Sequence, residues 1–144
     1  MTRPRNLMLA AVASIALSSC AWMHPDTIVR LQGNMTGAQE VPAVNTAGTG
    51  TLEATYDKGT HILGYTVTYS GLSGPATAAH FHGPAAPGTN AGVVVPFPNP
   101  ADPIKGETTL TDAQAADLLA GRWYVNVHTR AHPGGEIRAQ VMPR

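Results

Sequence analysis

Cysteine is nearly absent from this chain, with one, Cys20, among 144 residues. A single thiol excludes a disulfide framework, C-x-x-C redox pairs and cysteine-rich zinc sites. Charge is sparse too, at 12% of residues, with nine basic side chains against nine acidic ones. Setting aside Arg3 and Arg5 of the amino-terminal segment leaves seven against nine, a net of about −2. No basic cluster remains, so the chain has no footprint for nucleic acid. No serine stands in a G-x-S-x-G elbow, and the few carboxylates are scattered, a poor fit to paired acid–base hydrolysis. Gly83 to Gly88 is glycine-rich, but no Lys-Ser/Thr pair or helix follows it, which argues against a phosphate cradle. Solenoid repeats and low-complexity blocks are missing as well.

What is abundant is turn chemistry. Twelve prolines and fifteen glycines punctuate short runs rich in valine, threonine and tyrosine, and 43% of residues are hydrophobic. That is enough for one domain with its own core. Period-two alternation predicts strands over Ile28–Met35, Thr49–Tyr56, Ile62–Tyr69, Ala76–His82 and Val93–Phe97. Pro98 to Lys105 reads as a proline-rich connection. Thr111, with Gln114 at the capping-box position and Gly121 beyond the last turn, frames the one helix. One short helix among about seven strands implies an all-β fold, a Greek-key antiparallel β-sandwich.

The clearest pattern is Gly121–Val141. Trp123, Val125 and Val127 alternate with Tyr124, Asn126 and His128; beyond Pro133-Gly134-Gly135, Ile137, Ala139 and Val141 alternate with Glu136, Arg138 and Gln140. Matching like faces sets Trp123 opposite Val141, Val125 opposite Ala139 and Val127 opposite Ile137. The polar face then carries Asn126 opposite Arg138 and His128 opposite Glu136. Glu136 and Arg138 are expected to form an exposed charge pair of little energetic weight.

Histidines carry the chemical signal. His80 and His82 share one face of their strand, with Phe81 on the core side. His128 also points away from the core, and His132 lies in the adjoining loop. Were the two strands neighbours, these imidazoles would form a cluster on an outer face, a donor set suited to copper or zinc. Glu136 is then the carboxylate expected to orient His128. The alternative is structural, with each ring bonding backbone groups and covering a sheet face. His24 and His61 fall in a tether and a turn and are expected to be solvated.

Two resemblances add to this. Residues 1–20 pair a charged start (Arg3, Arg5) with an apolar run, Leu7–Leu17, too short to span a membrane, and end in Leu17-Ser18-Ser19-Cys20. This resembles a bacterial lipobox, which implies lipidation of Cys20 and anchoring in the cell envelope, at the periplasmic face or the outer membrane. Residues 21–27 would be a tether. From Ile28 to Arg144 the chain resembles the CHRD domain, through Gly37-Ala38-Gln39-Glu40-Val41-Pro42, His80-Phe81-His82-Gly83-Pro84-Ala85, Val93-Val94-Val95-Pro96, Gly121–Thr129 and His132–Arg138. That likeness implies an extracytoplasmic β-sandwich. The H-x-H strand with a distant third histidine also resembles the copper half of copper-zinc superoxide dismutase, without that family's disulfide cysteines or zinc loop. The expectation is a binding module rather than an enzyme, with copper or zinc at His80, His82, His128 and His132. The competing expectations are an adhesion module for protein or glycan, and a dismutase-like copper enzyme.

Overall fold

The structure, a computed structural model, describes residues 27–144. The lipobox-like ending at Cys20, His24 and all but the last residue of the expected tether lie outside the described residues. Nine strands follow in order: β1 (Ile28–Thr36), β2 (Thr49–Asp57), β3 (Ile62–Ser70), β4 (Ala76–His82), β5 (Val93–Pro96), β6 (Ile104–Thr109), β7 (Tyr124–Thr129), β8 (Ile137–Gln140) and β9 (Met142–Pro143). One 3₁₀ turn (Gly37–Gln39) and one helix, α1 (Asp112–Leu119), complete the set. Among the described residues no helix is long and apolar enough to cross a membrane.

The strands form a nearly closed antiparallel sheet in the order β5-β4-β7-β8-β1-β2-β3-β6, with β9 added to β1. A single residue pair, Thr36 with Arg138, joins β1 to β8. About that narrow seam the sheet folds so that its two halves face each other. Tyr65 of β3 meets Phe81 of β4 edge-on at 5.2 Å, and Phe97 stacks on Tyr65 at 4.5 Å. The links from β3 to β4, β5 to β6 and β6 to β7 each cross between halves, which is the sandwich architecture expected.

Alternation explains the core. Leu52, Ala54 and Tyr56 of β2, Leu63, Tyr65 and Val67 of β3, Ala79 and Phe81 of β4, and Val125 and Val127 of β7 are all buried in one cluster with Trp123 and Ile137. The hairpin register is the expected one, with Val125 opposite Ala139, Asn126 opposite Arg138 and Val127 opposite Ile137. The helix also forms as its capping residues require. The Gln114 backbone N–H donates to Thr111 Oγ1 at 3.2 Å, and the Thr111 N–H donates to Gln114 Oε1 at 2.9 Å. Gly121 ends it in the left-handed region, at φ +71°.

The stretch taken as a proline-rich connection ends in a strand. β6 begins at Ile104 and pairs with β3 along its whole length, from Ile104 opposite Val67 to Thr109 opposite Ile62. Its inward positions read Ile104, Gly106, Thr108, so apolar alternation is lost after one residue. The reason is spatial: a Cβ at Gly106 would collide with the Tyr65 ring, which occupies that space instead.

Phe81 is fully buried where the halves meet, 5.0 Å from Phe97 and 5.8 Å from Trp123. Phe81→Ala is expected to cost about 3–5 kcal/mol, read as a lower urea midpoint at unchanged slope. A loss under about 1 kcal/mol would contradict this packing.

Candidate metal centre

The β4–β7 pairing assembles the site. Ala78 lies opposite His128, His80 opposite Asn126, and His82 opposite Tyr124. Side chains two apart on a strand share a face, so His80, His82, Asn126 and His128 converge. The small Ala78 leaves His128 room to lean toward His80, whose Nδ1 lies 3.1 Å from His128 Nε2. One nitrogen from each of His80, His82 and His128 lies within 4.8 Å of the other two.

This face was expected to be an outer one, and it is not. The segment between β4 and β5 folds back over it, held by the Gly83 N–H to the Gly92 carbonyl at 3.2 Å and the Ala85 N–H to the Arg122 carbonyl at 2.7 Å. His82 and His128 are each only 8% exposed and Asn126 only 2%, while His80 is half-buried and forms the open side. The ring of His82 stacks flat on Tyr124 at 4.7 Å.

Hydrogen bonds to the backbone fix two of the rings. His82 Nδ1 lies 3.0 Å from the Ala91 carbonyl, and His128 Nδ1 lies 2.9 Å from the Pro133 carbonyl. A carbonyl only accepts, so both nitrogens carry the proton and both Nε2 atoms are bare in the neutral ring. His80 has one proton, and Nδ1–H can donate it to His128 Nε2. Burial, then repulsion from His128 and His82, lowers the His80 pKa to about 4. Burial is also the main cause lowering His82. Both rings are therefore neutral at physiological pH, the form that ligates a metal.

Three expectations are corrected. Glu136 does not orient His128. Strand pairing stops at Val127 and Ile137, so Glu136 escapes the alternation, and its carboxylate accepts from the Thr46, Ser73 and Thr129 hydroxyls, each at 2.6 Å, and from the Ser73 N–H at 2.8 Å. The partners of His128 are Pro133, Asn126 and His80 instead. His132 stays out of the group that the other three form, because its backbone closes the β7–β8 return on Thr129. Glu136 and Arg138 are no exposed pair, being 0% and 1% exposed. Arg138 donates to Asn90 Oδ1 at 2.9 Å and to the Thr89 carbonyl at 2.7 Å, with its guanidinium 3.5 Å from the centre of the Tyr124 ring.

Two residues of the site went unread in the sequence. Asn126 Oδ1 lies 3.0 Å from His82 Nε2 and 2.9 Å from His128 Nε2. Its alternation with His128 was the available signal. Glu40, from the loop after the 3₁₀ turn, is buried beside Asn126; burial raises its pKa to about 7 against the opposing pull of Arg138 and of Asn126. Nothing local in the sequence marks it.

The family model of the CHRD domain matches residues 31–141. The chain belongs to the CHRD family. No curated protein and no solved structure matches it. The matched span holds every residue of the histidine cluster along with Asn126 and Glu40, so the CHRD domain itself carries an arrangement able to hold a metal.

The Glu136 knot has its own test. Burial alone would raise this carboxyl, but donors from Ser73, Thr129 and Thr46 outweigh it and hold the pKa at about 2. A depressed acid stabilises the fold fully above its unfolded value of 4.5 and loses that contribution as pH falls toward 2. Glu136→Gln is expected to cost about 3 kcal/mol at pH 7, and its stability should fall less than the parent's between pH 4.5 and 2. Parallel stability curves in urea titrations would contradict this.

Proposed function

We propose that this CHRD domain is a metal-binding module that takes one copper ion through His82 Nε2, His128 Nε2 and His80 Nδ1, the His80 proton moving from Nδ1 to its Nε2 as the ion enters. The carrying observation is that backbone carbonyls hold the His82 and His128 rings with both bare Nε2 atoms meeting at Asn126 Oδ1, that His80 Nδ1 lies 3.1 Å from His128 Nε2, and that one nitrogen from each ring lies within 4.8 Å of the other two. Three borderline nitrogen donors without thiolate suit divalent copper or zinc, and copper(II) binds such a set more tightly than zinc does. His80, partly exposed, gives an ion a way in.

The lipobox-like end at Cys20 supports a lipid-anchored place in a bacterial envelope, where such a module would store, sense or buffer copper. Binding is the assigned role. The open side at His80 also favours a second reading, redox chemistry such as superoxide disproportionation at the bound copper, and it rests on the same ion. An interaction module for protein or glycan is the function left standing if no metal binds.

Titration of the purified full chain with copper(II), copper(I) and zinc(II) tests the proposal. One equivalent is expected to bind, with affinity falling at least 100-fold in His82→Ala and His128→Ala and staying within about threefold in His132→Ala. Absence of binding in a folded parent, or equal loss in His132→Ala, would sink it. Because His80 stays neutral until about pH 4, most bound copper should also survive at pH 5.5, where ordinary imidazoles compete with protons. Release complete by pH 6 would contradict that environment.

A further inference from the structure

We propose that Asn126 is the fourth ligand of this metal, through Oδ1, and that Glu40 is the positioning residue that holds its amide in the ligating orientation. The inference rests on the metal-binding reading.

The starting point is a shortage of protons. In the neutral form that ligates a metal, three imidazoles carry three protons between them. Two are used on the Ala91 and Pro133 carbonyls, and the third bridges His80 and His128. None is left for Asn126 Oδ1, although it lies 3.0 Å and 2.9 Å from two bare Nε2 atoms. Lone pairs facing one another in a buried place repel, and a buried polar atom without a partner costs free energy. A cation turns the same arrangement into attraction. In a tetrahedral site with bonds near 2.0–2.2 Å, neighbouring donor atoms lie about 3.3–3.6 Å apart. The contacts of 2.9, 3.0 and 3.1 Å here are a few tenths of an ångström shorter, so small outward shifts of three rings and one amide would admit the ion.

The other half of the argument is which end of the amide faces the rings. A carboxyl group keeps an accepting oxygen in either protonation state, and an unpartnered one favours the NH₂ end of a neighbouring amide. Glu40 is 6% exposed, and its Oε1 has no hydrogen-bond partner of good geometry. Glu40 Oε1 and Asn126 Nδ2 both crowd the space a Cβ on Gly135 would fill, at a φ of +122° that side chains rarely adopt. The glycine thus lets Glu40 reach Asn126 from behind. With Nδ2 on the Glu40 side, Oδ1 is turned to His82 and His128. An amide oxygen beside three imidazoles makes the set harder, favouring copper(II) over copper(I).

Competition titrations with copper(II) and copper(I), together with the electron paramagnetic resonance spectrum of the copper(II) form, test this on the full chain. Asn126→Ala should lose ten- to a hundredfold in copper(II) affinity, change little toward copper(I), and show an altered copper(II) spectrum. Asn126→Asp keeps an oxygen at the site and should retain copper(II) binding, which keeps the test decisive if the alanine variant fails to fold. Glu40→Leu, which frees the amide to turn, should lose about tenfold, whereas Glu40→Gln, which can still accept from Nδ2, should stay within about threefold of the parent. A parent that binds copper through His82 while folded Asn126→Ala matches it in affinity and spectrum overturns this inference alone. Asn126→Asp folded but without copper(II) affinity also overturns it. A parent that binds no metal overturns both readings.

Discussion

The pairing of β4 with β7 is the constraint on which the rest depends. It sits in the middle of one half of the sheet, and its two faces do different work. Inward, Phe81 and Val125 lock the halves together through Tyr65, Phe97 and Trp123. Outward, the same register brings His80, His82, Asn126 and His128 together. A slip of one residue would send the histidines into the apolar core and Phe81 to the polar side. Stability and the site are therefore fixed by one set of backbone hydrogen bonds.

A layer of buried polar groups gathers around this pairing, on its outward face and at the β7–β8 return. Such a layer is costly to bury unless each group is met, and this fold meets them in contrasting ways. Glu136 has four donors and no cation, and it ties the Thr46 loop, the Ser73 loop, the end of β7 and the start of β8. Arg138 is satisfied by loop oxygens and a tyrosine face. The Asn126–histidine group is the part left short of protons. Uneven satisfaction among such well-packed neighbours points to a ligand rather than to poor packing.

Much of this was legible in the residues. The hairpin register followed from Trp123, Val125 and Val127 against Ile137, Ala139 and Val141, because period-two alternation is a direct record of which side is buried. The helix followed from Thr111, Gln114 and Gly121. His80 and His82 could be assigned to one face, and His128 to the same side of its strand. Three things escaped. β6 hid behind Gly106, whose missing side chain serves Tyr65. Burial of the outer face was invisible because the covering segment, Gly83–Gly92, has no pattern of its own. Glu136 misled because alternation fails one residue before β8, where the carboxylate turns to Thr129 and Ser73. Glu40 lies in a distant loop, and only the closed fold brings it to Asn126.

The central claim is that backbone carbonyls hold two buried imidazoles with bare Nε2 atoms facing a common point. Long-range proton–nitrogen NMR of the metal-free chain at pH 7 reads the tautomer of each ring directly. The account predicts that His82 and His128 are both neutral and protonated at Nδ1. Rings protonated at Nε2, or doubly protonated, would leave no lone pairs to converge, and the site would be a hydrogen-bonded plug rather than a metal centre.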